Sequence, residues 1–303
     1  MIPRIGIASG DPAGIGPEIA LKAALDPKVR SLCRPVLVGD RKIFEMHGKP
    51  GEAEILQVEQ ERPDIGQIAP KHGKAALAAA GAAIRAALKG EFDAVVAAPH
   101  TEAAIHAAGI EFDGYPSFVA RTAGLPPEDG ILMLCFEHGG REVRIAHVTL
   151  HLGVKDALKL ITKEKILKTL RAVNSTLKNP RIAVSGVNPH AGEGGAFGRE
   201  EIDTVTPAIE QARKEGIRVD GPIGADTLIQ RQGYDAYVVM LHDQGHVAAK
   251  LLAPHRVAGL TIGTPVLFSS VAHGSALDIA GRGQASHAAM VEAITRLARW
   301  RSA

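Results

Sequence analysis

Short apolar runs alternate with longer segments of helical composition along most of the chain. Such runs lie in RIGIAS, PVLVGD, FDAVVAAPH, PRIAVSGVNPH and YDAYVVMLHDQG, and each leads into a turn or a polar helix start. The segment KAALAAAGAAIRAALKG consists almost entirely of strong helix formers. This alternation predicts an α/β fold in which a mostly parallel sheet is covered by helices on both faces.

Two runs depart from that order. The segments ILMLCFE and EVRIAHVTLH are separated only by residues 138–141, which include two glycines. Two strand-like runs joined by so short a connection predict a β-hairpin, and therefore an antiparallel insertion in the sheet. We find no internal repeat and no segment with the composition of a linker. If the chain forms two lobes, we therefore expect it to cross between them more than once.

Composition excludes several classes of protein. The 303 residues contain 35 Lys and Arg against 33 Asp and Glu, and only 4% are aromatic, which argues against a nucleic-acid partner. Two cysteines cannot form a disulfide framework, and the N-terminus lacks an export signal. The longest uncharged stretch, 257–277, is interrupted by Pro265 and by glycines, which argues against a membrane span. We therefore expect a cytoplasmic protein.

Three of the thirteen histidines stand where an apolar run ends, namely His151, His190 and His242. Ligands of open α/β sheets bind beyond the carboxyl ends of the strands, so these imidazoles could converge on one crevice. Three neutral imidazoles would suit Zn²⁺ or a similar ion and leave a position open for substrate. The alternative is that each histidine only makes hydrogen bonds within its loop. His147 shares a strand face with His151 and is interpreted as a packing residue behind the ligands.

Charged residues near these histidines are candidates for catalysis. Asp243 follows His242 directly, Lys250 lies eight residues further on, and Asp226 opens a helix in GPIGADTLI. Near a metal, such carboxylates orient ligands or accept protons, and a lysine can move a proton or hold a carboxylate. For Asp226 the alternative is a helix cap.

Glycine-rich loops follow two of the apolar runs. SGDPAGIGPE contains Gly14 and Gly16, and NPHAGEGG contains Gly194 and Gly195, so backbone N–H groups could approach an anion or a cofactor closely. Neither loop matches G-x-G-x-x-G, and no strand in the chain is followed by that fingerprint. A Rossmann domain is therefore disfavoured.

Five motifs carry a family resemblance. SGDPAGIGPE, SGVNPHAGEGG, GPIGADTL, LHDQG and HGSALDIAGRG, in this order, resemble the 4-hydroxythreonine-4-phosphate dehydrogenase family, a branch of the isocitrate/isopropylmalate dehydrogenase-like fold. The resemblance implies a two-lobed α/β/α subunit and a homodimer with the active site at the subunit interface. It also implies NAD as cofactor and a divalent metal held by three histidines, one of them from the partner chain. We expect residues 1–120 with 255–303 to form the NAD lobe, and residues 121–254 the metal and dimer lobe.

The resemblance assigns roles to individual positions. The metal ligands become His151, His190 and His242, with Zn²⁺ first and Co, Ni, Mn or Mg as alternatives. Asp226, Asp243 and Lys250 fall on active-site positions, with Lys250 or Asp243 as the base. The stretch 273–281 resembles the adenosine loop of isopropylmalate dehydrogenases, and Asp278 there favours a free ribose hydroxyl and hence NAD. The implied cofactor-binding residues are Gly14, Gly16, Gly194, Gly195, His273, Gly274, Ser275, Ala276 and Asp278. An alternative for this stretch is a helix N-terminus capped by Ser275.

The substrate positions depart from the phosphate-handling members of the family. Gly-His-Thr is replaced by Gly114, Tyr115 and Pro116, and an asparagine and an arginine are replaced by Gly259 and Phe268. A phosphate dianion would lose its charged partner and meet an apolar wall.

Lys250 and Arg256 remain to bind a carboxylate. This pattern resembles the branch that oxidises cis-dihydrodiol carboxylates, as in terephthalate dihydrodiol dehydrogenase. The expected reaction is oxidation of a small β-hydroxy carboxylate followed by decarboxylation, here to a catechol. The first alternative is a 4-hydroxythreonine-4-phosphate dehydrogenase of pyridoxal phosphate biosynthesis. The second is a non-catalytic metal- or nucleotide-binding protein.

Overall fold

The computed structural model describes residues 2–254 and 256–302, with side chains as far as residue 300. The strands are β1 (Arg4–Ala8), β2 (Arg34–Gly39), β3 (Glu54–Gln57), β4 (Ala94–Ala97), β5 (Ile131–His138), β6 (Arg141–His147), β7 (Ile182–Ser185), β8 (Val219–Ile223), β9 (Ala236–Val239), β10 (Ala258–Ile262) and β11 (Phe268–Val271). The helices are α1 (Gly16–Leu25), α2 (Pro27–Leu32), α3 (Arg41–Glu45), α4 (Pro70–Leu88), α5 (Glu102–Ala107), α6 (Tyr115–Thr122), α7 (Val154–Leu160), α8 (Lys163–Leu177), α9 (Thr206–Lys214), α10 (Ala225–Leu228), α11 (His242–Leu252) and α12 (Ala288–Ser302).

The chain forms two compact units, Met1–Pro127 with Thr264–Ala303 and Glu128–Gly263. The assignment of NAD to one lobe and of the metal and dimer contacts to the other stays a prediction. In the described part of the chain no helix combines the length and the apolar character needed to cross a membrane.

The first unit is built on parallel strands in the order β3-β2-β1-β4-β11. The apolar residues of β1 and β4 are buried on both faces, as covered parallel strands require. The alanine-rich helix α4 buries Ala79, Ala80 and Ala83, whose small side chains allow close packing on the sheet. The carboxyl ends of β1, β4 and β11 are neighbours, so the loops that follow these strands meet at one edge.

The second unit has the strand order β10-β5-β6-β9-β7-β8. The pairs β6–β9, β9–β7 and β7–β8 are parallel, whereas β10–β5 and β5–β6 are antiparallel. The hairpin predicted at 131–151 is confirmed, because β5 and β6 pair from Met133↔Ala146 to His138↔Arg141. Gly139 and Gly140 provide the positive φ angles of 58° and 73° in its turn. The mostly parallel α/β fold with an antiparallel insertion is thus confirmed.

The structure differs from the local sequence pattern at three places. The segment around Ser275 forms no helix, so Ser275 is not a helix cap; it lies in irregular backbone and bonds other loops instead. The helical pattern of 199–216 begins as a short π-helix at Glu201–Val205 before α9 starts. His242, expected at a strand end, is the first residue of α11.

Candidate active site

Four histidines lie together in the second unit. His147 ends β6, His151 lies in the following loop, and His242 and His246 occupy the first turns of α11. The ring centroids of His151 and His242 are 5.6 Å apart, and the rings of His242 and His246 stack at 3.7 Å. The cause is topological, because β6 and β9 are parallel neighbours and the segments that follow them leave the sheet side by side.

Backbone hydrogen bonds fix these two segments to each other. The Val148 N–H donates to the Val239 carbonyl at 2.9 Å, beyond the end of the regular ladder. The Thr149 N–H and hydroxyl both donate to the Met240 carbonyl, at 3.2 and 2.6 Å. The loop that bears His151 is therefore tied to the residues directly before His242.

Asp243 orients the imidazole of His242. The Nδ1–H of His242 donates to Oδ1 of Asp243 at 2.7 Å, which leaves the Nε2 lone pair free to bind a metal. The hydrogen bond from His242 also lowers the pKa of the Asp243 carboxyl. Asp243 is thereby a weaker proton acceptor, and of its two predicted roles the geometry favours orientation over general-base catalysis.

His147 packs beneath this pair, in the position predicted for it. Its side chain is 3% exposed, and its ring centroid is 4.8 Å from that of His246. The Nδ1–H donates to the Leu132 carbonyl at 3.4 Å, while Nε2 is buried without a partner. A Cβ atom at Gly245 would lie 2.3 Å from that Nε2, so α11 can approach His147 only with glycine at this position.

The burial of His147 predicts a pH-dependent stability. Burial lowers the pKa of His147 to about 3, whereas the unfolded value is near 6.5. As the pH falls below about 6.5, His147 becomes protonated in the unfolded chain but stays neutral in the folded protein. The free energy of unfolding therefore decreases as the pH falls from neutral toward the folded pKa. We expect this imidazole to lower the free energy of unfolding by up to about 1.4 kcal/mol per pH unit near pH 5.

Urea unfolding of chelator-treated protein at pH 7.5, 6 and 5 measures this slope. His147→Gln keeps a side-chain donor for the Leu132 carbonyl and removes the titrating group, so its slope should be shallower. Equal slopes for the variant and the unchanged protein would contradict the prediction.

His190 lies in a different local environment. It follows β7 in a short 3-10 segment, Pro189–Gly195, and its imidazole is exposed with the Phe197 ring centroid 6.3 Å away. Across residues 2–254 and 256–302 of one chain, no three His, Cys, Asp or Glu side chains lie close enough to hold a metal ion. Of the predicted trio, one chain thus brings together His151 and His242, and the role of His190 stays a prediction.

Gln244 connects the two regions and was not singled out from the sequence. Its Oε1 accepts from the Met240 and Leu241 N–H groups at 2.9 and 3.0 Å, at the start of α11. Its Nε2 donates to the Gly186 carbonyl at 3.0 Å, where the chain leaves β7 toward His190. The sequence offered one signal for Gln244, namely its place in the LHDQG motif at the end of an apolar run.

The other predicted catalytic residues are accessible. Lys250 lies four and eight residues after His246 and His242, hence on the same face of α11, and is exposed. Asp226 is exposed in the first turn of α10 and makes no cap hydrogen bond, since Gly224 occupies the N-cap position. Asp226, Arg141 and Leu251 line an open cavity of about 630 Å³.

In the first unit, the loops after β1, β4 and β11 are joined by a buried hydrogen-bond network. Asp11 is 1% exposed; it accepts from the Ala13 N–H at 2.9 Å and from the Thr101 hydroxyl. Thr101 also shares a 2.9 Å hydrogen bond with the Ser275 hydroxyl, and the Ile15 N–H donates to the Ser275 carbonyl. Sequence reasoning missed Asp11 and Thr101, although they stand three and four residues after the ends of β1 and β4.

This network changes the interpretation of the first glycine loop. A Cβ atom at Gly14 would lie 2.6 Å from the Ser275 Cβ, and one at Gly16 would lie 2.4 Å from the Ser9 carbonyl oxygen. Both glycines are thus required by close packing of protein segments, and their predicted contact with NAD stays a prediction. At Gly274, by contrast, an added Cβ would meet open space, and Asp278 is exposed.

The predicted substrate wall differs from expectation. Tyr115 and Phe268 are 4% and 0% exposed and contact each other in the core of the first unit, with ring centroids 5.0 Å apart. Pro116 is buried on α6, and Gly259 is buried within β10 opposite Leu134. Apolar rings gain more from mutual burial than from exposure to water, which explains their inward position. Arg256 and Lys250 are the exposed members of the set.

Tyr115 retains one polar atom inside this core. Its hydroxyl is buried with no hydrogen-bond partner, and burial raises the pKa of the phenol above its ordinary value. His100 approaches the ring edge-on at a centroid distance of 4.7 Å. A direct contact between the Tyr115 ring and a substrate requires that this core face becomes accessible, so that contact stays a prediction.

Comparison with known proteins identifies relatives over the whole chain. A 1,2-dihydroxy-3,5-cyclohexadiene-1,4-dicarboxylate dehydrogenase of Comamonas sp is 42% identical, covering 97% of this chain and 96% of its own. A protein of Symbiobacterium thermophilum, provisionally assigned as a D-threonate 4-phosphate dehydrogenase, is 38% identical over 96% of this chain and 95% of its own.

Solved structures agree. A 4-hydroxythreonine-4-phosphate dehydrogenase from Burkholderia phymatum superposes with a TM-score of 0.82 at 33% identity, covering 99% of this chain and 98% of its own. A terephthalate 1,2-cis-dihydrodiol dehydrogenase from Burkholderia xenovorans gives 0.70 at 40% identity, covering 98% and 97%. The model of the family described as pyridoxal phosphate biosynthetic protein PdxA matches residues 21–297. The chain therefore belongs to the PdxA family of dehydrogenases, as its motifs predict.

Proposed function

We propose that the protein is an NAD- and divalent-metal-dependent dehydrogenase that oxidises a cis-dihydrodiol carboxylate and decarboxylates the product to a catechol. The observation that carries the proposal is the apolar character of the four positions at which the phosphate-handling pattern has polar groups. Tyr115, Pro116, Gly259 and Phe268 are all buried, and none offers a charged donor to a phosphate dianion. The 42% identity to a dihydroxycyclohexadiene dicarboxylate dehydrogenase supports the same substrate class.

The proposed metal site rests on the donor set. The ring centroids of His151 and His242 are 5.6 Å apart, and the hydrogen bond to Asp243 leaves the Nε2 of His242 free. This arrangement fits two imidazole ligands of one divalent ion. Because one chain brings together only two of the three imidazoles, we assign the third position to the exposed His190 of a second copy. When bound, the ion would act as a Lewis acid that polarises the substrate oxygen.

Three side chains of the protein would take the remaining roles in the reaction. Lys250 would accept the hydroxyl proton of the substrate, and NAD⁺, when bound, would supply the acceptor for the hydride from the same carbon. Arg256 holds the carboxylate. The resulting β-keto acid loses CO₂ as the electron pair of the broken C–C bond moves toward the ketone oxygen. The enolate formed in this way is an aromatic phenolate, and its protonation on oxygen gives the catechol. Asp226, exposed at the cavity near α11, is proposed to contact substrate or solvent protons.

The proposed cofactor site lies in the first unit. His273, Gly274, Ala276 and Asp278 follow β11 and are at least partly accessible. The Asp278 carboxylate can accept a hydrogen bond from a ribose hydroxyl and would repel a ribose phosphate, which favours NAD over NADP. Gly194 and Gly195 in the His190 loop are retained as proposed backbone contacts to a cofactor of a second copy.

Exposed apolar side chains support a homodimer through the second unit. Among the residues that the structure describes, this unit exposes eight large apolar side chains against four in the first unit. The eight are Leu152, Val154, Leu158, Leu160, Phe197, Ile202, Val247 and Leu251. Ala157 is the buried residue of α7, whose three large apolar side chains face outward. A helix this short gains too little from one alanine to persist alone. Light scattering should give the mass of a dimer, and a monomer would contradict this proposal.

A spectrophotometric assay of NADH tests the function. We expect kcat/KM for a cis-dihydrodiol dicarboxylate to exceed that for 4-hydroxythreonine 4-phosphate by about 100-fold or more, the factor that a lost charged partner would produce. Chromatography should show one catechol per NADH. A higher kcat/KM for the phosphorylated substrate would overturn the assignment in favour of the second candidate, a dehydrogenase of phosphorylated hydroxy acids, which the 38% identical relative favours.

A further inference from the structure

The turn that bears His190 has an unusual backbone. Five successive residues from His190 to Gly194 have positive φ angles between 42° and 81°. Three of them, His190, Ala191 and Glu193, carry side chains, for which the left-handed region is unfavourable. An exposed turn of this conformation needs strong support from its surroundings.

One buried carboxylate provides that support. Glu201 is 3% exposed and is the first residue of the π-helix Glu201–Val205. Its Oε1 accepts from the Val187 and Asn188 N–H groups, both at 2.7 Å, and its Oε2 accepts from the Asn188 Nδ2 at 2.9 Å. These are short, charge-assisted hydrogen bonds to the residues directly before the left-handed turn. Burial alone would disfavour the ionised form, but the hydrogen bonds prevail and lower the pKa of Glu201.

The turn is also wrapped closely around the same carboxylate. A Cβ atom at Gly192 would lie 2.6 Å from Oε2 of Glu201. A Cβ atom at Gly186 would lie 2.9 Å from Oε1 and 2.8 Å from the Ala191 Cα. A side chain at either glycine would therefore collide with the carboxylate, so the close approach of Glu201 to this turn requires glycine at both positions.

We propose that Glu201 is the positioning residue of the metal site: its buried carboxylate fixes the left-handed turn and so presents the exposed His190 imidazole to a metal in one conformation. This inference rests on the proposed role of His190 as a ligand. A ligand offered from one subunit to another gains from such preorganisation, because less conformational entropy is lost on binding. A π-helix at this position agrees with the frequent occurrence of such turns at functional sites.

Glu201→Gln tests the proposal with almost no change in shape. The amide retains one acceptor oxygen, but its NH₂ group would face the N–H donors of Asn188 or Val187. Titration calorimetry with Co²⁺ should show a Kd about 10- to 100-fold higher, the range found when the support of a ligand is removed. The visible spectrum of bound Co²⁺ should change, and amide hydrogen exchange over residues 186–195 should become faster.

Glu200→Gln is the matched control. Glu200 is exposed and accepts from the same Asn188 Nδ2 at 2.7 Å, so this variant makes the same carboxylate-to-amide change at the next position in the chain, where the amide oxygen can still accept that hydrogen bond. We expect less than about a twofold change in Kd and an unchanged Co²⁺ spectrum, as for most surface substitutions.

A parallel measurement on His190→Ala distinguishes a failure of the His190 ligand assignment from a failure of the positioning role of Glu201. If His190→Ala leaves Co²⁺ affinity unchanged, the ligand assignment under the proposed function fails. If His190→Ala weakens binding while Glu201→Gln keeps the affinity, spectrum and exchange of the unchanged protein, the role of Glu201 is overturned. Should Glu201→Gln not fold, Gly192→Ala perturbs the same contact from the other side, and retention of normal affinity in that variant overturns the role equally.

Discussion

Replacing His242 by alanine is expected to remove tightly bound metal and to lower kcat for NADH formation by about 10³-fold or more, since Lewis-acid stabilisation contributes several kcal/mol. The imidazole is held by Asp243 and lies beside His151. His151→Ala should behave in the same way. Metal content by elemental analysis and NADH absorbance measure both effects.

His106→Ala is the matched control for these variants. His106 is also an exposed histidine, but it lies in α5 of the first unit, whereas the four-histidine cluster lies in the second. Its replacement should leave metal content and kcat unchanged. A His242→Ala protein that keeps a full equivalent of metal and normal turnover would refute the proposed site.

Lys250→Met should lower kcat by about 10²- to 10⁴-fold, the usual contribution of a positioned acid or base. Lys250 is exposed on the face of α11 that carries His242 and His246. Methionine keeps an unbranched side chain that is one atom shorter, and it removes the proton acceptor. Metal content and the KM for NAD should be unchanged, because the variant touches neither group. Lys214→Met, at the end of α9, is a control that should leave kcat unchanged.

Asp243→Asn distinguishes the two candidates for the base. If Asp243 orients His242, its amide variant should mainly weaken metal binding, by about 10- to 100-fold, and turnover should recover at high metal concentration. If Asp243 were the base, kcat would remain low at saturating metal while Lys250→Met stayed active. That second outcome would reverse the assignment that the 2.7 Å hydrogen bond favours.

The order of strands and helices followed from local patterns, because each apolar run and each helical segment carries its own periodicity. The hairpin at 131–147 was equally visible, since two adjacent runs were joined by glycines. The approach of His151 to His242 could be anticipated because parallel strands end at a common edge.

The remaining features depend on contacts between distant segments. Nothing local in the sequence announces that Glu201 would turn inward toward Asn188, or that Thr101 would join Asp11 to Ser275. Tyr115 and Phe268 were expected to form an apolar wall of the substrate site. Apolar rings on neighbouring elements are, however, also stabilised by packing against each other in a core. A residue type restricts the possible contacts, whereas the choice between solvent and interior is made by the packing of the whole unit.

The contact between His147 and Gly245 has an evolutionary consequence. Any methyl group at 245 would collide with the buried imidazole at 2.3 Å, while a smaller residue at 147 would leave a void under the helix. The two positions should accordingly change together during divergence: lineages that acquire alanine at 245 should already carry a smaller side chain at 147.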